Sequence, residues 1–281
     1  MMNNNKKTNA DWIALHTKNH ARCNIRVQGA HIASWSPAGR DEQLFMSRLS
    51  SPDQSQPLRG GIPVIFPQFA DLGPLPKHGF ARTAIWRLED VQQNDDTASA
   101  TLVLTDTPES MQFWPHSFTA TIRITLTDQA LQVDWQVRNE GVQTMSFQVA
   151  LHTYFRVAEG KFATILGLAN SPSYNKLTQE KAAASGMDQL IVKNAIDSIY
   201  AQTPDHLILQ TGLGELRIDK HGFPDTVVWT PWDEGARQIA DLADDEGRAF
   251  ICVEAACVNV PITLSPQQNW NASMKLGCSE E

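Results

Sequence analysis

The chain has 281 residues, 42% of them hydrophobic and 19% charged, with a formal net charge of −8 from 31 acidic and 23 basic residues. That length and composition suit a globular protein built as one large β domain or two average ones. The acidic balance argues against nucleic acid and anionic membranes as partners, and gives an anionic metabolite no global steering, so any phosphate on a ligand needs a local cluster of basic groups. No run nears the roughly 18 apolar residues of a membrane span. The opening MMNNNKKTNADW lacks the apolar stretch of a secretory signal. Cys23, Cys252, Cys257 and Cys278 show no CxxC spacing, and reduced thiols in a cytoplasmic protein are the expectation.

In chain order, residues 1–11 read as a flexible polar leader and 12–281 as a single β-sandwich domain. Trp12–Trp35 predicts a hairpin or meander with Val27, Ala30, Ile32 and Trp35 inward and Gly29 at a turn. Asp41–Phe45 is a short segment. Arg59–Arg82 follows as RGGIPVIFPQFADLGPLPKHGFAR. Ile62, Val64, Ile65 and Phe66 predict a buried strand that Pro63 and Pro67 confine to an edge or a bulge. Gly60, Gly61, Gly73 and Gly79 permit positive φ or close backbone approach. Arg59, His78 and Arg82 would then stand on a stiff rim, although the stretch also fits a long surface loop with solvated charges.

Thr83–Glu89 predicts an alternating strand, residues 92–97 (QQNDDT) a turn, and Ala98–Thr105 a further strand. Residues 106–116 suit a loop or one helical turn. The clearest hairpin is Ser117–Asp128 with Ala130–Asn139, where Ile122, Ile124, Leu126, Leu131, Val133, Trp135 and Val137 alternate with polar residues. Thr144–Ala158 continues that pattern. Between 160 and 200 the periodicity is weak, and LTQEKAAASG reads as a loop or short helix. His206–Gln210 and Glu215–Lys220 predict a strand pair around Gly212 and Gly214. Thr226–Trp229 is short and apolar, Asp233–Asp245 is acidic and loop-like, and Arg248–Val258 is a buried strand. Pro261–Leu276 supplies a last turn and strand. With no long amphipathic helix and no fixed-period repeat, the expected fold is all-β, a large antiparallel two-sheet sandwich.

Two residues stand out chemically. On an alternating strand His152 and Tyr154 share one face, with Leu151, Thr153 and Phe155 on the other. Glu254 lies inside FICVEAACV, where an unpaired carboxylate is costly to bury and has its pKa raised toward the range of a general base. His152 also fits a satisfied core histidine, and Glu254 a structural ion pair with an arginine. Together with His78, Arg59 and Arg82 they suggest acid–base work on a small polar, anionic molecule. Metal or nucleophilic catalysis has little support, since HExxH and GxSxG are both missing. Neither GxGxxG nor GxxxxGK[ST] occurs, so no cofactor and no metal are expected.

The runs RGGIPVIFPQF…HGFAR, LHTYF, AIDSIY (195–200), PDTVVWTPW (224–232) and FICVEAA occur in the order found in the aldose 1-epimerase family, in its hexose-6-phosphate 1-epimerase branch, which the chain resembles from about residue 25 to 276. The resemblance implies a galactose-mutarotase-like sandwich that interconverts the α and β anomers of a hexose 6-phosphate. It implies that His152 gives a proton to the ring oxygen and that Glu254 takes the proton from the C1 hydroxyl. It further implies that His78 and Asp197 hold the sugar and that Arg59 and Arg82 hold the phosphate. For Asp197 a turn or strand-end role fits the local sequence nearly as well, and for the arginines a core-edge salt bridge does. Three positions depart from the family pattern, Ser198, Thr230 and His221, and all are expected near the pocket rim. A mutarotase for free aldoses and a non-catalytic sugar-phosphate-binding protein are the alternatives. The expected partner is a small sugar phosphate, and the expected state a monomer.

Overall fold

The computed structural model describes residues 11–51, 56–184, 186 and 189–278. The expected polar leader, save Asp11, lies outside the described residues.

Period-two alternation dictates the architecture. In Phe118–Thr127 and Ala130–Asn139 every second residue is buried, including Ile122, Ile124, Leu126, Leu131, Val133, Trp135 and Val137. This hairpin lies near one end of a nine-stranded antiparallel sheet whose order is 189–191, 164–166, 206–210, 215–221, 269–278, 130–139, 118–127, 97–105, 87–93. A second, eight-stranded sheet runs 180–182, 173–175, 196–200, 225–230, 250–264, 145–151, 64–65, with 154–156 also paired to 250–264. Val228, Val253, Ala255, Leu151 and Phe155 of the second sheet join Ile122, Val133 and Trp135 of the first in one core between the layers. The arrangement is the expected antiparallel sandwich, with one addition. Trp12–His16, Arg22–Arg26 and His31–Ser36 form a separate three-stranded sheet, and Ile13, Leu15, Ile25 and Trp35 from it extend the same core.

The eight-stranded sheet has a second apolar face. Ile65, Ala150, Ile199, Val227, Ala256 and Val258 pack there with Phe69, and Tyr154, Phe250 and Cys252 pack with Phe45 and Leu242. Because neighbouring residues on a strand point to opposite sides, the strand Phe250–Leu264 sends Val253 and Ala255 to the central core and Cys252 and Glu254 to this outer face. Its first nine residues are buried without alternation, as a strand covered on both sides requires.

Several local details differ from the sequence reading. The strand expected at Thr83–Glu89 starts at Arg87 and runs to Gln93, because Thr83 and Ala84 both donate to the Phe80 carbonyl and close a turn. The following turn shrinks to residues 94–96, where the Asn94 side chain accepts from the backbone N–H groups of Asp96 and Thr97. Within LTQEKAAASG, Glu180–Ala182 is a strand paired to Ser173–Asn175 and not a helix. Trp232–Ala236 is a short helix inside the stretch read as loop. The buried strand continues past Val258 to Leu264 and carries Pro261 across a break in register between Cys257 and Ile262, where the missing N–H does no harm.

Val64–Ile65 is confined to the sheet edge, as its flanking prolines require. The turns around it depend on glycine. Gly79 has φ +68, and a Cβ there would lie 2.2 Å from the Phe66 carbonyl oxygen, whereas Gly39 has φ +71 with nothing within 4 Å. Gly39→Ala should therefore cost only the left-handed backbone term of about 1–2 kcal/mol. Gly79→Ala should cost clearly more, because backbone must also shift. Denaturant unfolding of the two variants checks this, and equal losses would mean that the Phe66–Gly79 contact is not tight.

Candidate active site

The outer face of the eight-stranded sheet presents a row of mutually paired positions. Asp197 is opposite Trp229, Trp229 opposite Cys252, and Cys252 opposite Tyr154. Glu254, two residues along the same strand as Cys252, shares its face. Strand pairing ends at Leu151, and the His152 N–H donates instead to the Pro63 carbonyl at 3.0 Å. His152 and Tyr154 then stack, with ring centroids 4.8 Å apart and planes 13° from parallel. The Arg59–Arg82 segment covers this face as a rim.

A cavity of about 210 Å³ lies between rim and sheet, and Arg59, His78, Arg82, His152, Asp197 and Glu254 all line it. The residues singled out from the sequence are thus brought to one place. The Nε2 of His152 lies 3.4 Å from Oε1 of Glu254, which is 1% exposed. Among the described residues, His152 Nδ1 and Glu254 Oε2 are buried without a hydrogen-bond partner. Unpartnered buried polar atoms are costly, and they concentrate where a protein binds or reacts.

Electrostatics separates the roles these groups can play. Burial raises the Glu254 carboxyl well above the usual carboxylate range; Asp197 adds to the shift and Lys176 opposes it. Burial likewise pushes the His152 imidazole well below its usual value, helped by His78, Arg59 and Arg82. His78 is lowered to about 2, first by burial and then by Arg82. Its Nδ1 accepts from the Ala70 N–H at 3.3 Å, so the neutral ring carries its proton on Nε2 as a donor. His78 and His152 meet edge to face at 5.6 Å.

The arginines differ. Arg59 donates from Nε to Asp241 at 3.0 Å and from one terminal nitrogen to the Tyr154 hydroxyl at 3.1 Å. Arg82 donates to the Lys77 carbonyl at 2.9 Å. Among the described residues Arg82 has no carboxylate within ion-pair distance. Its pKa is lowered by burial and by the positive Arg59, a state that a bound anion would relieve.

Several lining residues had no sequence signal. Lys176 pairs with Asp197 at 3.0 Å and also sits over the Phe69 ring, but it comes from the weakly patterned 160–200 stretch. Asp241 does not line the cavity and acts on it only through Arg59; it belongs to an acidic loop in which no carboxylate stands out. Trp229 and Tyr154 lay in motifs already noted, and their paired registers could have suggested them. The three departures from the family pattern were expected at the rim, and none of them lines the cavity. Ser198 is buried opposite Val228, on the core side of its strand. Thr230 donates to the Gly247 carbonyl at 3.1 Å. His221 lies on the other sheet, beside Arg123 and Asp134. Strand parity explains the first two, since Asp197 and Trp229 face the cavity and their neighbours cannot.

Among the described residues no three His, Cys, Asp or Glu side chains converge as a metal site would require, and no helix is long and apolar enough to cross a membrane.

Comparison with known proteins agrees with this geometry. The aldose 1-epimerase family model matches residues 11–277. A protein of Cenchrus ciliaris named "Putative glucose-6-phosphate 1-epimerase" is 30% identical over 282 residues, covering 94% of this chain and 83% of that protein. One of the same name from Escherichia coli K12 is 30% identical over 239 residues, covering 84% and 79%. The crystal structure of "a putative mutarotase (YeaD)" from Salmonella typhimurium superposes with a TM-score of 0.87 at 22% identity, covering 96% of this chain and 90% of that one. Galactose 1-epimerase from Lactobacillus acidophilus gives 0.72 at 15% identity, covering 96% and 94%. These two structures speak to the fold, and the family model and the curated relatives go further: this chain belongs to the aldose 1-epimerase family.

Proposed function

We propose that the protein interconverts the α and β anomers of a hexose 6-phosphate. The observation that carries the proposal is the pairing, in one cavity, of a buried His152–Glu254 couple with a half-buried Arg82 guanidinium that has no carboxylate partner among the described residues. His152 acts as general acid and Glu254 as general base. Arg59 and Arg82 hold the phosphate, and His78 and Asp197 hold the sugar.

Opening a cyclic hemiacetal requires a proton given to the ring oxygen and one taken from the C1 hydroxyl. Burial drives both His152 and Glu254 toward their neutral forms, while their closeness favours the charged pair. In the reactive couple His152 is the imidazolium and Glu254 the carboxylate. His152 delivers one proton to the ring oxygen as the bond from that oxygen to C1 breaks and is left neutral. Glu254 receives the C1 hydroxyl proton as the carbonyl forms. The couple again holds one exchangeable proton, now on Glu254 and drawn from the C1 hydroxyl, while the proton from His152 stays on the former ring oxygen. Rotation about C1–C2 presents the other carbonyl face, and reclosure runs the transfers in reverse. Arginine suits the phosphate because its planar fork donates parallel hydrogen bonds.

One observation favours a second reading. Arg59 is already engaged by Asp241 and Tyr154, as a structural arginine would be, and a mutarotase for free aldoses would need no more. Magnetisation exchange between anomeric protons, measured by NMR for glucose 6-phosphate and glucose in parallel, separates the two. Faster exchange for the phosphate ester alone is the expected result, and equal acceleration would select the free-aldose reading. Without acceleration of either sugar, retained binding would indicate a sugar-phosphate-binding protein.

Three further outcomes are expected. Glu254→Gln keeps the shape and removes the base, so exchange should fall by about 10²-fold or more while calorimetric affinity for the sugar phosphate changes little. Arg82→Ala should raise KM for the phosphorylated sugar by about tenfold or more, the worth of a charge-assisted hydrogen bond, and leave the free sugar nearly unchanged. Burial raises the Glu254 carboxyl and lowers the His152 imidazole, and the couple works with one exchangeable proton between the two groups. The kcat/KM profile should therefore be bell-shaped, falling at low pH where the couple takes up a second proton and at high pH where it loses its last. A profile that stays flat on either side would exclude the couple as the proton carrier.

A further inference from the structure

Tyr154 touches both halves of the site. Its ring stacks on His152 at 4.8 Å and meets Trp229 edge to face at 5.9 Å, and its hydroxyl oxygen accepts from Arg59 at 3.1 Å. The residue is 2% exposed and packed against Phe250, so the ring has little freedom to move independently of its neighbours. It comes from the short strand Tyr154–Arg156, which pairs to the strand that carries Glu254. The hydroxyl spends a lone pair on Arg59, and among the described residues its own hydrogen has no acceptor. An O–H of that kind can donate to an anionic oxygen beside Arg59.

We propose that Tyr154 is a positioning residue that ties the phosphate-holding end of the cavity to the proton-transfer end. Through its hydroxyl it fixes the direction of the Arg59 guanidinium, and through its ring it fixes the plane of the His152 imidazole. Two fixings on one rigid side chain place the acid at a set distance from the anion. A phosphorylated sugar is then presented to His152 in register, and a free sugar draws on the ring contact only. The inference rests on the proposed function, since it presumes that Arg59 meets the phosphate.

The two roles separate by substitution. Tyr154→Phe keeps the stack and removes the acceptor. KM for glucose 6-phosphate should rise by about tenfold, as expected for losing one hydrogen bond to a charged group. The kcat for that sugar should fall severalfold as well, because the phosphate is no longer held in register with His152, and both constants for glucose should change far less than those for the ester. Tyr154→Leu removes the stack as well, and kcat should fall for both sugars. Inorganic phosphate binding, followed by calorimetry, should weaken in Tyr154→Phe, a readout that needs no turnover. Circular dichroism and thermal unfolding establish that each variant is folded; should Tyr154→Leu not fold, the contrast between the two sugars and the phosphate affinity of Tyr154→Phe decide alone. A wild-type protein with no preference for the phosphate ester overturns the functional reading and this inference together. A wild-type preference with Tyr154→Phe unchanged in KM and phosphate affinity overturns this inference only.

Discussion

Glu254 is a carboxyl group that the fold places, 1% exposed, at the centre of the nine residues of its strand that are buried on both faces, and its neighbours are arranged around the cost of that placement. A lone carboxylate in such surroundings is strongly disfavoured. Among the described residues its one ion-pair partner is the His152 ring at 3.4 Å, and Asp197 and Lys176 act on it electrostatically in opposite directions. A carboxyl held this way is ready to take a proton when an acidic hydroxyl is brought to it. Removing water strengthens the coupling between the two side chains, because the field between them is no longer damped by solvent.

The same cavity reconciles a local demand for positive charge with an acidic protein. Arg59, Lys77, Arg82 and Lys176 line it against the carboxyl groups of Asp197 and Glu254, although the chain as a whole carries a net charge of −8. Asp241 does not weaken this arrangement so much as orient it, since it holds Arg59 from one side while the Tyr154 hydroxyl holds it from another. A weakly solvated arginine keeps its charge where a lysine would tend to lose it, which suits the more buried positions.

Legibility followed the physics of each element. The hairpin Phe118–Asn139 was plain in the sequence because one face of each strand is wet, and binary alternation survives only where water reaches one side. Arg87–Gln93 was displaced because its residues are exposed on both faces, which leaves no apolar signal to set its ends. The strands between 164 and 191 have three residues each, too few for a period to show. At the site, Glu254 was conspicuous because charge in an apolar run is rare, and His78, Arg59 and Arg82 because they share one glycine-rich segment. Lys176 and Asp241 carry no such mark: they become functional neighbours only through pairings between distant parts of the chain. His221 was misplaced by the opposite error, since closeness in sequence to PDTVVWTPW does not carry over a turn into the adjacent sheet.

The bonds that complete the site span long stretches of chain. Arg59 reaches Tyr154 across 95 positions and Asp241 across 182, and His152 meets Glu254 only once Leu151 is in register with Ala255. Contacts of this kind form after the loops between them have been closed, and folds built on them assemble slowly. No local fragment of the molecule brings His152, Glu254, Arg59 and Arg82 together. Acquisition of the site and completion of the eight-stranded sheet are therefore one event.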